Sequence, residues 1–205
     1  HVMQPLHIFE PRYREMLEEA LAGDRLIAMA VLARGWEADY EGRPPIHPVA
    51  CLGRVTVQHQ LQSGAYNLLL SGLSRIEIAQ ELPPAKAFRE ATAVLRPDID
   101  PPDQAAAGAA LHRQLRAAFL RVLDHVPQVL EQLDQLLGSD LPLGTLTDII
   151  SYMVDLDQQA KMDLLAEVQV HRRAEHLLKL LEDLAGDYEP GRKGPNDFPP
   201  PFSHN

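Results

Sequence analysis

Residues that could carry phosphate or nucleophilic chemistry lack the spacing that such chemistry requires. A phosphate-binding loop has the pattern GxxxxGK[ST], but none of the lysines follows a glycine: Lys86, Lys161, Lys179 and Lys193. The sequence contains neither the GxG of a dinucleotide fingerprint nor the GxSxG of a nucleophile elbow. Ser71-Gly72-Leu73-Ser74 has no neighbouring base that could activate a hydroxyl. We therefore predict no catalytic residues and no enzymatic activity.

Metal ligation is disfavoured by the same kind of argument. His171 and His176 are five positions apart, so on a helix they point in different directions, and no HExxH motif occurs. The single cysteine, Cys51, excludes a thiolate cluster and an internal disulfide, which is typical of a reducing cytoplasm. We predict no metal site and no cofactor, and expect a cytoplasmic protein with structural histidines.

Composition and charge indicate a globular protein that does not bind nucleic acid or membranes. Apolar residues make up 45% of the chain and charged residues 23%. The formal charge is −10, which opposes attraction to phosphate backbones and to anionic lipid. No apolar stretch approaches the roughly 18–20 residues of a membrane span. The one basic cluster, His171-Arg172-Arg173, is interpreted as the solvated face of a helix.

The first half of the chain has the pattern of short strands around one helix. Glu10 followed by Pro11 predicts a helix start, and Gly23 its end. The apolar run 26–32 suits a strand buried on both faces. Val55, Val57 and His59 alternate with polar residues, as in a half-buried strand, and the turn signal Ser63-Gly64 predicts a hairpin.

The second half has a helical period and begins at a proline-rich boundary. Two prolines fall within residues 98–103, directly after Pro97, and helices are expected after residue 105, around 130–137 and after two caps, Thr145 and Asp157. Short connections between helices predict a compact bundle. The predicted organisation is a β subdomain over residues 1–97, a helical subdomain over 98–186 and an irregular Pro/Gly-rich tail over 187–205.

Several segments resemble the N-terminal, substrate-binding domain of Lon-type ATP-dependent proteases. The most specific is Pro5 to Leu32, PLHIFEPRYREMLEEALAGDRLIAMAVL. Val49 to Val55, Tyr66 to Ile76 and Leu143 to Ile150 are similar to later parts of the same domain. The resemblance covers residues 5 to about 185. It implies an α+β fold with an N-terminal PUA-like β-barrel subdomain followed by a C-terminal α-helical bundle.

What the resemblance implies about function is recognition of other proteins. The ATPase and peptidase domains of the family find no counterpart in these residues, so we expect a stand-alone, non-catalytic recognition module. The implied partners are unfolded or degron-bearing polypeptide and a separate ATP-dependent protease, and homo-oligomers are compatible with the family. The candidate peptide-binding residues are aromatic or basic and occur in two segments: Phe9, Arg12, Tyr13, Arg14, Trp36 and Tyr40.

Other interpretations remain open for these candidates. Phe9 and Tyr13 suit core packing, and Arg14 lies within reach of Glu18 on a helix surface. A PUA-like domain that binds a small ligand in a regulatory role is the alternative function, by analogy of fold alone. RNA binding is a third reading, and the net charge disfavours it.

Overall fold

The computed structural model describes residues 2–40, 42–123 and 141–186, together with the backbone of Ser203–His204. The chain divides into two compact units. Unit 1 comprises residues 1–97 and 199–205, and unit 2 comprises residues 98–198. A sheet forms unit 1 and helices form the described part of unit 2, so the predicted α+β fold class is confirmed.

In its described residues, unit 1 contains a six-stranded sheet and one α-helix. Its strand order is β2-β3-β4-β1-β6, and β5 pairs with β4. The elements are, in chain order, β1 (Met3–Ile8), α1 (Pro11–Ala22), β2 (Leu26–Met29), β3 (Val49–Gln60), β4 (Tyr66–Glu81), β5 (Ala91–Arg96) and β6 (Ser203–His204). A short 3-10 helix, Trp36–Asp39, lies between β2 and β3. All pairings are antiparallel except β1 with β6.

Helix α1 begins and ends where the sequence predicts. Glu10 is extended, Pro11 opens the helix, and the backbone N–H of Gly23 donates to the carbonyls of Glu19 and Ala20. The apolar face of α1 packs on the sheet through Leu17, which has no exposed surface. The cluster beneath it comes from four strands and contains Leu6, Ile8, Ile27, Val55, Tyr66, Leu68 and Leu70.

The long β3–β4 hairpin carries a bulge that changes which face β3 presents to the core. Val55 opposes Leu70, whereas Val57 opposes Leu69, so Thr56 is an extra residue in the ladder. One inserted residue reverses the alternation of side chains. Val57 is therefore 55% exposed, and the predicted alternation of buried residues beyond Val55 is wrong.

Strand β2 is shorter and more exposed than its composition suggests. The run 26–32 was expected to be buried on both faces, but the strand ends at Met29, and Ala28 is exposed beside buried Ile27. That expectation is wrong because β2 lies at the end of the strand order. Beyond Met29 the backbone continues opposite a proline-rich segment, where the Ala33 N–H donates to the Pro45 carbonyl.

Unit 2 contains four described α-helices that share one apolar core, preceded by a short 3-10 helix, Pro102–Gln104. They are α2 (Ala105–Val122), α3 (Leu143–Met153), α4 (Gln158–Ala166) and α5 (Val170–Gly186). Each contributes fully buried side chains, including Leu115, Phe119, Leu146, Ile150, Leu164, Leu177 and Leu181. The helix expected around residues 130–137 lies outside the described residues, as does most of the tail.

Of the two predicted helix caps in unit 2, one is confirmed and one is wrong. The Asp157 carboxylate accepts a hydrogen bond of 2.7 Å from the Ala160 N–H at the start of α4. Helix α3 instead begins after Pro142, three residues before the position that a Thr145 cap requires. Proline already restricts the backbone at this point, so Thr145 lies inside the first turn.

The basic cluster on α5 is not a solvated face, contrary to expectation. Arg173 is 1% exposed and His171 is also buried, whereas Arg172 is exposed. The Arg173 guanidinium makes a bidentate ion pair with Asp98, with N–O distances of 3.1 and 2.5 Å. Pairing of this kind is what permits a charge to be buried, and it ties the first residue of unit 2 to helix α5.

Further hydrogen bonds hold the Arg173 guanidinium in place. Its Nε donates to Thr147 Oγ1 at 3.1 Å, and the same hydroxyl donates to the Gly144 carbonyl at 2.7 Å. Its Nη1 also donates to the Glu167 carbonyl at 2.8 Å. A Cβ at Gly144 would lie 2.6 Å from Asp98 Oδ2, so glycine leaves the space that the ion pair occupies.

Candidate functional site

Glu10 joins the start of α1 to the loop that follows β2. Its extended backbone, held by the Pro11 helix start, directs the carboxylate toward that loop. Oε1 accepts a 2.7 Å hydrogen bond from the Tyr40 hydroxyl, and Oε2 accepts a 2.9 Å hydrogen bond from Arg12 Nε. One carboxylate thus connects two segments about 30 residues apart in the chain.

The Arg12 guanidinium lies between two tyrosine rings. Its central carbon is 4.8 Å from the ring centroid of Tyr13 and 4.9 Å from that of Tyr40, within the range of cation–π attraction. Nη1 also donates to the Tyr40 carbonyl at 3.3 Å. Trp36 packs edge-on against Tyr40, with centroids 5.6 Å apart. We call Glu10, Arg12, Tyr13, Trp36 and Tyr40 the aromatic cluster.

Electrostatics within the aromatic cluster stabilise its present protonation state. The hydrogen bond to Glu10 raises the pKa of Tyr40, and burial and the carboxylate charge add to the rise. For Arg12, burial favours loss of the proton, but interactions with Tyr13 and Glu10 outweigh it and the pKa is raised. The cluster therefore holds a neutral phenol, a guanidinium cation and a carboxylate in contact.

The raised pKa of Tyr40 leads to a prediction at alkaline pH. The Glu10–Tyr40 hydrogen bond requires the phenolic proton, so its contribution to stability is complete below the ordinary tyrosine pKa. It is lost as the pH rises through the raised pKa of the folded state. Comparing phenolate absorbance of the protein with that of Tyr40→Phe isolates this titration. We expect Glu10→Gln to shift it to lower pH; an unchanged midpoint would contradict the assigned cause.

The structure brings four of the six predicted site residues together: Arg12, Tyr13, Trp36 and Tyr40. Phe9 precedes the cluster in the chain, is 46% exposed and stacks on His7 with centroids 5.9 Å apart. Arg14 does not join them, since its Nη1 reaches the Gly64 carbonyl at 3.4 Å.

Two further residues clarify these assignments. Glu10 was not predicted as a site residue, although an acidic side chain two positions before Arg12 was a signal. Glu18, which the sequence places near Arg14, lies 3.3 Å from the Tyr66 hydroxyl and accepts its hydrogen bond. Tyr13 is half-buried against the core cluster, so it serves both packing and the aromatic cluster.

Within this arrangement Arg12 is engaged by its neighbours, whereas Phe9 is exposed. The Arg12 cation is already held by a carboxylate, a carbonyl and two rings, while Phe9 presents apolar surface. Across residues 2–40, 42–123 and 141–186, no group of three or more His, Cys, Asp or Glu side chains could hold a metal ion. None of the helices in these ranges combines the length and apolar composition of a bilayer span.

Comparison with known proteins shows where this architecture occurs. The family model of the ATP-dependent protease La (LON) substrate-binding domain matches residues 1–183. The chain belongs to the Lon substrate-binding domain family. Lon proteases of Anaeromyxobacter dehalogenans and Xanthomonas oryzae pv. oryzae are each 26% identical to it, over 86% and 89% of the chain. Lon protease 2 of Myxococcus xanthus is 24% identical over 86%.

Two solved Lon domains share the fold at low sequence identity. The N-terminal domain of the Mycobacterium avium complex Lon protease has a TM-score of 0.67 at 17% identity, covering 92% of this chain and 91% of that one. The Lon N-terminal domain protein from Xanthomonas campestris has a TM-score of 0.59 at 17% identity, covering 87% and 89%. The chain spans 21% of the length of the Lon proteases it matches, in their substrate-binding part.

Proposed function

We propose that this Lon substrate-binding domain is a non-catalytic module that binds unfolded or degron-bearing polypeptide. Membership of a substrate-binding family is the observation that carries the proposal. The absence of phosphate-binding and nucleophile motifs from the sequence supports a role in binding. We further propose that a separate ATP-dependent protease acts on the bound polypeptide, and that both work in the reducing cytoplasm expected from the single cysteine.

Phe9 and the aromatic cluster are the surface that we propose for this binding. Unfolded chains differ from folded ones in exposing apolar side chains, so a receptor needs accessible apolar surface with polar groups around it. Phe9 provides an exposed ring, and Glu10 and Arg12 lie next to it in the chain. Hydrogen bonds and ring contacts hold the Trp36–Tyr40 loop against α1, which lowers the entropy cost of binding.

Replacing Phe9 should weaken polypeptide binding without unfolding the protein. We expect Phe9→Ser to raise the dissociation constant for a reduced, carboxymethylated test protein about tenfold, as for an aromatic anchor at an interface. Val57→Ser is the matched control, because Val57 is also an exposed apolar residue of unit 1. Anisotropy of the fluorescently labelled test protein measures both affinities.

Two results of this titration would count against the proposed surface. Equal affinities of Phe9→Ser and the unmodified protein would show that Phe9 makes no energetic contact with the test protein. An equal loss in Val57→Ser would show that any exposed apolar residue of unit 1 contributes and that the aromatic cluster has no special part. Trp36, the single tryptophan, gives a fluorescence signal that checks the fold of each variant near the cluster.

A further inference from the structure

Strand β5 is an exposed edge with apolar side chains on both faces. Every residue from Ala91 to Arg96 is exposed, and Val94 and Leu95 are 58% and 60% exposed. Neighbouring residues of a strand point to opposite faces, so little packs on either side of β5. Among the described residues β5 pairs with β4, and no strand pairs with its other edge. Such edges are usually protected by an inward charge or a proline, and residues 91–95 contain neither.

We propose that the β5 edge binds the β5 edge of a second copy of this chain, in an antiparallel pair about a two-fold axis through Ala93. The ladder would then continue from the sheet of one copy into that of the other. This inference is independent of the proposed function, since it requires no polypeptide client and uses no residue of the aromatic cluster.

Charge complementarity favours a second copy of the chain as the partner, and it favours the register with the axis at Ala93. With the axis at Ala93, Glu90 of each copy opposes Arg96 of the other, so two pairs of opposite charge form. Moving the axis to Thr92 would instead place Glu90 opposite Val94. Moving it to Val94 would place Ala91 opposite Pro97, which has no N–H to donate.

Apolar side chains also match in this register. Leu95 would lie across from Ala91 on one face, and Val94 across from Thr92 on the other. The two Val94 side chains become diagonal neighbours across the axis, which is within reach of a side-chain contact. Both would lose water on pairing, which is favourable for residues that are more than half exposed in the single chain.

Existing ion pairs extend across the interface. Arg96 Nη1 lies 2.8 Å from Glu77 of β4, and Glu90 lies 2.9 Å from Lys86. In the dimer, Arg96 would lie between Glu77 of its own chain and Glu90 of the second copy, which produces a row of alternating charges. A single pair of six-residue strands buries less than the roughly 1,200 Å² of a stable interface, so we expect a weak dimer at high protein concentration.

Charge reversal tests this dimer by sedimentation velocity of the full chain at increasing concentration. We expect Glu90→Arg and Arg96→Glu each to raise the dimer dissociation constant about tenfold, because each places like charges opposite one another twice. The double variant restores opposite charges and should dimerise like the unmodified chain. Val94→Asp should also abolish the dimer, whereas Val57→Asp, at an equally exposed position of β3, should not.

A monomer at every concentration of the unmodified chain would overturn the proposal. So would a dimer that the single charge reversals leave unchanged, since its interface would then lie elsewhere. A monomeric chain whose unfolded-polypeptide binding is weakened by Val94→Asp would assign the β5 edge to a client, which also overturns the second-copy assignment. Circular dichroism of each variant verifies that the fold is retained.

Discussion

Asp98→Ala should lower the free energy of unfolding by about 3 kcal/mol, because it leaves the buried Arg173 cation without its bidentate partner. Asp148 Oδ1 lies 3.7 Å from Arg173 Nε and offsets only part of the loss. The hydrogen bonds that Arg173 donates to Thr147 Oγ1 and to the Glu167 carbonyl solvate the guanidinium but do not neutralise it. Urea unfolding followed by helical circular dichroism, to which unit 2 contributes most, measures the change.

Matched variants separate the ion pair from general effects at this position. Asp100 is two residues further on and more than half exposed, at 4.0 Å from His171, so Asp100→Ala should have a small effect. Replacing both partners, in Asp98→Leu with Arg173→Met, removes the buried charge and should recover much of the stability lost in Asp98→Ala. Similar losses in Asp98→Ala and Asp100→Ala would show that the bidentate pair contributes little.

Leu17→Ala should destabilise unit 1 by about 3 kcal/mol, because it opens a cavity between α1 and the sheet. Leu17 has no exposed surface and packs among apolar residues of β1, β2, β3 and β4. Its helix also carries Arg12 and Tyr13 of the aromatic cluster. The fluorescence of Trp36, which lies in unit 1, reports this transition in urea.

Glu15→Ala is the control for this variant, since Glu15 lies on the exposed side of the same helix. It removes a side chain without creating a cavity, and alanine is a good helix former, so stability should change little. A loss below about 1 kcal/mol in Leu17→Ala would mean that α1 does not contribute a core to unit 1.

Local patterns in the sequence were sufficient for the fold class and for several helix and turn positions. Pro11 and Gly23 delimit α1, Gly64 has the positive φ of 82° that its hairpin turn requires, and Asp157 caps α4. These features depend on a few neighbouring residues, so they can be read from spacing and residue type. The resemblance of residues 5–185 to Lon domains was confirmed by the family model.

Features that depend on distant residues could not be read in this way. Arg173 looks like part of a solvated basic cluster until Asp98, 75 positions earlier, is known to reach it. Likewise, nothing near Glu10 indicates that Tyr40 will donate to it. The bulge at Thr56 reverses the exposure of Val57 without any glycine or proline to signal it. The ion pair, the hydrogen bond and the bulge each depend on contacts with a partner in another segment of the chain.

The proposed function requires this domain to hold unfolded polypeptide. Titration of the full chain with a reduced, carboxymethylated test protein, and separately with the same protein in its native form, measures this property. We predict saturable binding of the unfolded form and much weaker binding of the native form. Absence of saturable binding to the unfolded form, or equal affinity for both forms, would contradict the account.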